Sequence, residues 1–410
     1  MPIVRILYID HYAGSNQHGM EFRPFYLARE WVRAGHHVRI VAASYSHVRT
    51  KQPLVTGRVL DERIDGIDYR WYSTPTYQGN GRGRVLNMLS FLVALARDRW
   101  TLVDELKPDL VIASSTYPMD VWPASWIARR ASARLVFEVH DLWPLTPIQL
   151  GGMSKWHPFI VIVQLAEDYG YRHADKVVSL LPKALDYMRS RGMEASKFVH
   201  VPNGIDEQDW ARVAPLPAEV QSRLHEIRAG GLPIVGYVGT HGLANALDLL
   251  LDAAHSLKGR AHIVMVGGGP ERERLQSRVS QEGLTHVAML PPLAKQAVPA
   301  FLEAVDLAFM GMLPEPLYQY GISPNKLMDY MMAGKPIVLA VAAGNDPVAE
   351  AGCGLTVPPG NPRALAEAIG RLIDLPAERR SAMGRAGKEF VLKNRTYRVL
   401  AESFLQHVAE

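Results

Sequence analysis

The sequence predicts an α/β protein built from two doubly wound domains of similar size, and three observations carry that reading. The chain is 410 residues long, enough for two or three domains at roughly 100 to 200 residues each. Short β-branched runs alternate with helix-period stretches throughout, the pattern of parallel strands joined by crossover helices. Near the middle, a stretch with Pro215, Pro217 and the breaker Ala229-Gly230-Gly231 precedes a new apolar strand. Hydrophobic residues make up 48% and charged residues 21%, ordinary globular usage that excludes a broadly disordered chain.

Taken in order, strands are expected at 3–10, 37–44, 109–114, 134–140, 176–180 and 198–202, with helices at 21–34 and 84–105 among the connections. After the break, strands are expected at 233–239, 262–267, 287–290, 306–310, 336–341 and 354–357, and the end of the chain from 381 reads as helical. The organisation that follows is a first domain over 1–203, a linker over 204–231, a second domain over 232–390 and a terminal helix over 391–410 packing back on the first domain. Two such domains predict a ligand site in a cleft between the carboxyl edges of their sheets. The register of 51–84 cannot be read.

The formal net charge of +4 is too small a bias for nucleic-acid binding. Its distribution is uneven: residues 1–203 hold 25 basic and 19 acidic residues, a net of +6, and the remainder 20 and 22, a net of −2. Any attraction to anionic lipid belongs to the first half. The single cysteine, Cys353, excludes an internal disulfide and a zinc site of paired thiols, and suits a reducing cytoplasm. A strand-like start without an apolar leader gives no expectation of export. The longest apolar runs are too short to span a bilayer.

The strand at 233–239 runs into Gly239-Thr240-His241-Gly242, a turn whose amides and following helix suit a phosphate, although glycines serve tight packing turns equally well. Neither this turn nor Gly267-Gly268-Gly269-Pro270 makes the Gly-x-Gly-x-x-Gly fingerprint, so nicotinamide cofactors are not expected. A stronger cluster runs from Gly321 to Pro336. There Ser323 is expected to cap a helix with Pro324 in its first turn, placing Lys326 and Asp329 three apart on one face. A cation for a diphosphate beside a carboxylate for ribose hydroxyls suits a sugar nucleotide. An isolated pair of this kind is more often a surface ion pair worth a few tenths of a kcal/mol.

Several segments in register resemble the retaining family 4 glycosyltransferases of GT-B fold, most closely the bacterial surface-polysaccharide (O-antigen or capsule) branch. They are Val201-Pro202-Asn203-Gly204-Ile205-Asp206, Val266 to Glu271, Ser323 to Pro336 and Gly352-Cys353-Gly354-Leu355, with Gly35-His36-His37-Val38, Glu138 to Pro144 and Ala174-Asp175 in the first half. The resemblance covers nearly the whole chain. It implies that Asp329 binds the nucleotide ribose and that His140 touches the donor sugar. It places Gly321 where the family usually has a sugar-contacting glutamate, and Thr240 and Asn245 where it often has Arg and Lys on the diphosphate. Lys326 is then the remaining side-chain cation, helped by the amides of 239–242, with backbone amides of 322–325 replacing the lost glutamate. The loop His11 to Gly19 matches the family's loop near diphosphate and acceptor.

The catalytic set so expected is His140, Lys326 and Asp329. The donor-binding set is Gly14, Gly239, Thr240, His241, Gly242, Gly268, Ser323, Pro324 and Asn325, again with Lys326 and Asp329. Asp141 stands equally as a cap for 142–144 and as a substrate contact. No Asp-x-Asp occurs, so no metal and no cofactor are expected, and Lys326 with helix dipoles would stand in the metal's place. The resemblance implies retention by front-face attack, without a protein general base.

Asn80 to Trp100 and Ser154 to Ile162 combine basic and aromatic residues with apolar faces, as peripheral membrane contact requires. The expected protein is a cytoplasmic glycosyltransferase, peripheral on the inner membrane. It would move a hexose or N-acetylhexosamine from a nucleotide-diphosphate sugar, UDP foremost, to a lipid-linked saccharide in lipopolysaccharide or related polysaccharide synthesis. Two alternatives stand beside it: a UDP-sugar 2-epimerase of the same fold, and a catalytically inactive binding or scaffold subunit, which Gly321, Thr240 and Asn245 favour.

Overall fold

The computed structural model describes residues 2–79 and 81–409. Asn80, where the basic amphipathic segment was expected to begin, and Met1 and Glu410, the outer ends of the expected domains, lie outside the described residues. The chain divides into two compact units, Met1–Asn203 with Tyr397–Glu410, and Gly204–Thr396.

The first unit is built on strands β1 (Arg5–Ile9), β2 (His37–Ala43), β3 (Val59–Ile64), β4 (Ile67–Tyr72), β5 (Leu110–Ala113), β6 (Arg134–Val139), β7 (Lys176–Ser179) and β8 (Phe198–His200). They form one sheet in the order β3-β4-β2-β1-β5-β6-β7-β8, parallel except for the antiparallel β3–β4 pair. That hairpin lies in the stretch whose register the sequence reading left open. Its two-residue loop is Asp65-Gly66, both at positive φ (48° and 83°), the conformation that matches the twist of tight hairpins.

Central strands such as β1 and β5 are buried along nearly their whole length, which is why they read as continuous apolar runs. The helix Arg82–Leu106 lies beside Val121–Ala131, and that helix beside Pro158–His173. The last helix, Tyr397–Ala409, packs on Arg23–Arg33. There the Trp31 indole N–H donates to Ala401 O at 2.8 Å, and its ring meets Phe404 at 5.2 Å.

The second unit holds β9 (Ile234–Val238), β10 (His262–Val266), β11 (Val287–Leu290), β12 (Leu307–Gly311), β13 (Ile337–Ala340) and β14 (Gly354–Val357), all parallel in the order β11-β10-β9-β12-β13-β14. Residues from Gly204 onward, expected as a linker, pack within this unit: Val220, Leu224 and Ile227 share a core with Ile234 and Phe301. The strand order reverses between β1 and β5 in one sheet and between β9 and β12 in the other. In open α/β sheets the crevice at the carboxyl end of such a switch point is where ligands bind.

Candidate functional site

At the switch point of the second unit, β9 ends at Val238 and is followed by Gly239, and the helix Asn325–Met332 follows the loop after β12. Lys326 reaches from the first turn of that helix to the end of β9. Its ammonium donates to Tyr237 Oη at 2.9 Å and to Asn245 Oδ1 at 2.5 Å, and lies 4.7 Å from the Tyr237 ring centre. Gly239 has a φ of 150° that favours glycine, and a Cβ there would stand 2.9 Å from Lys326 Cδ and displace the lysine. Burial pushes the Lys326 ammonium down to about 8, so the cation is held at a desolvation cost that an arriving anion would relieve.

The surrounding loop corrects several expectations. The helix expected to follow this turn directly is delayed: a single 3-10 turn, Leu243–Asn245, comes first and the α-helix is Leu247–Leu257. The amides of Gly239 and His241 are used inside the fold, donating to Val266 O (3.0 Å) and Gly268 O (2.7 Å). Those of Thr240 and Gly242 have no partner among the described residues and remain for a ligand. The His241 side chain is fully buried, and both its ring nitrogens lack a partner among the described residues. Burial, with Arg272 and Lys326 adding to it, lowers the imidazole to about 4, so it is a neutral support of the loop. Asn245 is absorbed likewise, its amide donating to Thr240 O at 2.9 Å while its oxygen holds Lys326.

Ser323 does not cap the helix: Pro324 occupies the cap position and no side-chain cap bond is made. The amides of Asn325 and Lys326 open the helix and have no intrahelical acceptor. The Ile322 amide is taken by Asn345 Oδ1 at 2.7 Å, so it cannot replace a lost glutamate. Gly321 has φ 104° and ψ 171°, a region essentially reserved for glycine, so a glutamate here would need a different backbone path.

Asp329 lies on the same helix and its carboxylate is half-buried. The Trp210 indole N–H donates to Oδ1 at 3.4 Å. Burial raises Asp329 to about 6, against the pull of Lys295. Among the described residues no ion pair joins Lys326 to Asp329, so one helix offers a cation and a carboxylate in separate surroundings. A cavity of about 560 Å³ opens between the loops after β12 and β13, lined by Pro314, Glu315, Gln319 and Gly344 among others.

In the first unit, His140 ends β6. Its Nε2 faces Ser114 Oγ at 2.9 Å and Glu138 Oε2 at 3.4 Å, and Nδ1 has no partner among the described residues. Glu138 is fully buried and held by Arg23 (2.8 Å), the Tyr8 hydroxyl (2.6 Å) and Ser114 Oγ (2.6 Å). Burial alone would raise the Glu138 carboxyl, but Arg23 and His140 hold it well below the usual range. Burial likewise opposes charge on His140, and the Glu138 carboxylate outweighs it and raises the imidazole.

Beside this histidine lies Asp10, pushed up to about 7 by burial against the pull of His140, and the next residue, Asp141, is exposed. Asp141 makes no cap: the next helix is Leu145–Gln149, with Pro144 at its N-cap. Gly14 is buried, its amide donating to Glu21 O at 2.7 Å and its carbonyl accepting from Tyr69 at 2.8 Å. Gly14 therefore closes its loop rather than offering an amide.

Sequence reasoning missed Tyr237, Trp210, Asp10 and the Tyr8–Arg23–Ser114 support of Glu138. One signal was present: a lone glutamate in the apolar run 135–139 must find a cation. Among the described residues no group of three or more His, Cys, Asp or Glu side chains is placed to hold a metal ion, and no helix is long and apolar enough to cross a membrane.

Two family models match the chain, a glycosyl transferase 4-like domain over residues 18–204 and glycosyl transferases group 1 over 232–374. Together they take in most of its length. The chain belongs to the glycosyltransferases of GT-B type. It is 26% identical over 242 residues to 2-deoxystreptamine glucosyltransferase of Streptomyces kanamyceticus, covering 57% of this chain and 59% of that protein, so the match spans little more than half of that relative. It is 20% identical over 410 residues to the probable glycosyltransferase WbjE of Pseudomonas aeruginosa, covering 98% and 97%. The structure of HepE from Anabaena, in complex with UDP and glucose, has the same fold, with a TM-score of 0.67 at 16% identity over 99% of this chain and 100% of that one.

Proposed function

We propose that the chain is a retaining, metal-independent glycosyltransferase that moves a hexose or N-acetylhexosamine from a UDP-sugar to a lipid-linked saccharide. The setting is the cytoplasmic face of the inner membrane, in bacterial surface-polysaccharide synthesis. The observation that carries the reading is Lys326, a half-buried cation seated against Gly239 at the switch point of the second sheet, one helical turn from Asp329. The uridine diphosphate seen in HepE and the glucosyl transfer named for the Streptomyces relative support the donor class.

In this reading Lys326, with the amides of Thr240 and Gly242, neutralises the diphosphate as charge develops on it, and Asp329 accepts the ribose hydroxyls. His140, whose charged form Glu138 favours, donates to the transferred sugar. The acceptor hydroxyl bonds to the anomeric carbon as the bond to the diphosphate breaks, and its proton passes to the departing phosphate oxygen. No side chain is required as a base.

The test is a thermal-shift panel of UDP, GDP, ADP and dTDP, with and without EDTA, because a ligand at 100 times its Kd stabilises by about 2.7 kcal/mol. Stabilisation by UDP that survives EDTA and is lost in Asp329→Ala supports the reading; no stabilisation by any diphosphate overturns it. That second outcome favours the inactive-subunit alternative, for which the glycine-only backbone at Gly321 speaks. Interconversion of a UDP-sugar without acceptor would instead identify an epimerase.

A further inference from the structure

The helix Arg82–Leu106 turns apolar residues outward. Its exposed positions include Arg82, Leu86, Leu89, Val93, Arg97 and Trp100, spaced by three or four and therefore on one face. Leu86 is 57% exposed and Trp100 44%, while Met88, Phe91 and Leu95 of the same helix are buried, so the helix is apolar on its outer face as well as on its inner one. The neighbouring helices continue the surface: Val121–Ala131 presents Trp126, and Pro158–His173 presents Val161, Ile162 and Leu165, just after the exposed Trp156. Counting Trp156 in the turn before Pro158–His173, more than half of the exposed large hydrophobic residues among those described lie on these three neighbouring helices, a concentration of the kind that marks an interaction face.

Within the patch, between Arg82–Leu106 and Val121–Ala131, lies a slot of about 670 Å³ lined by Arg99, Trp100, Trp126, Arg129 and Arg130. The Arg99 guanidinium stands 4.5 Å from the Trp100 ring centre and 5.9 Å from that of Trp126, and Arg129 donates to the Tyr169 hydroxyl at 2.9 Å. Among the described residues none of the three arginines is ion-paired. Arg278, by contrast, meets Asp248, Asp252 and Glu282. The nearby acids are turned away, Asp98 and Glu105 both bonding to Arg70. Three uncompensated guanidinium groups framed by two indoles match a phosphate embedded in an apolar boundary, since the planar fork binds phosphate oxygens and indole sits at headgroup depth.

We propose that this slot binds the phosphate headgroup of an anionic lipid and docks the outer face of these helices on a membrane. The inference rests on the lipid-linked acceptor of the proposed function for its purpose, while its observations are independent of the donor site.

The test is flotation of the full chain with phosphatidylcholine vesicles, with and without phosphatidylglycerol. The wild type is expected to float only with phosphatidylglycerol. The triple variant Arg99→Ala, Arg129→Ala, Arg130→Ala should partition on the order of 100-fold more weakly, from roughly a fivefold contribution per arginine. The matching triple Lys variant should keep much of the binding, and Trp100→Ala with Trp126→Ala should lose it. Stabilisation by UDP should be unchanged in every variant, which separates failure of docking from failure of the donor site and confirms folding.

Three results overturn the proposal: equal binding to both vesicle types, no binding by the wild type, or undiminished binding by the triple Ala variant. Two more do so by naming another occupant. Inorganic phosphate stabilising the protein through these arginines without vesicle binding would make this a free-anion site. A dimer dissolved by the tryptophan variants would give the face to a second copy.

Discussion

Lys326 and Asp329 titrate toward each other. The lysine sits near 8 and the aspartate near 6 because burial disfavours the charged form of each. A bound diphosphate favours the ammonium, so nucleotide affinity should fall as pH rises through about 8. Ribose hydroxyls favour the carboxylate, so affinity should also fall as pH drops through about 6. Calorimetric titration of UDP across this range should give a maximum between the two, with the alkaline limb absent in Lys326→Met and the acid limb absent in Asp329→Asn. Loss of the charge-assisted contact in Lys326→Met should weaken binding roughly 10- to 150-fold, from about 1.5–3 kcal/mol. Gly321→Ala should lower stability by about 1–3 kcal/mol, read by denaturant unfolding; an unchanged midpoint would mean that the loop tolerates another path.

At the level of elements, the buried Arg23–Glu138 ion pair ties the helix Arg23–Arg33 to β6, and hydroxyls of Tyr8 on β1 and Ser114 after β5 bond to the same carboxylate. Removing either partner of Arg23–Glu138 strands the other charge, so Arg23→Ala should destabilise by about 3–5 kcal/mol, measured as a shift in unfolding midpoint at constant slope. Part of this network depends on pH. His140 is raised by Glu138, so its contribution is complete below its unfolded value of about 6.5 and is lost as pH rises through the raised folded value. Unfolding free energy compared between wild type and His140→Asn across that range checks the sign.

The strands of the second unit were legible because each is an apolar run between turn residues. The β3–β4 hairpin was not, because charged and polar residues such as Asp61, Glu62 and Arg63 hide its alternation, although Asp65-Gly66 marked the turn. The Ser323 cap failed for a local reason: Pro324 holds the cap position, so the serine lies one residue outside it.

At the scale of the whole molecule, two doubly wound sheets with switch points at β1/β5 and β9/β12 each bring one functional cluster to a carboxyl edge. Composition and punctuation were enough to see two such units. They were not enough to see that 204–231 packs into the second core, since Val220, Leu224 and Ile227 look like an ordinary amphipathic helix until their neighbours are known. That Lys326 and Asp329 share one helix and that His140 follows an apolar strand were legible in the sequence; the partners Trp210, Tyr237 and Arg23 were not, because each is reached only through long-range folding.

The account stands most directly on one measurement, calorimetric titration of UDP into the wild-type chain and into Lys326→Ala at neutral pH with EDTA present. Binding by the wild type that EDTA leaves intact and the substitution weakens at least tenfold is the expected result. Equal binding by both proteins, or binding that EDTA abolishes, would contradict it.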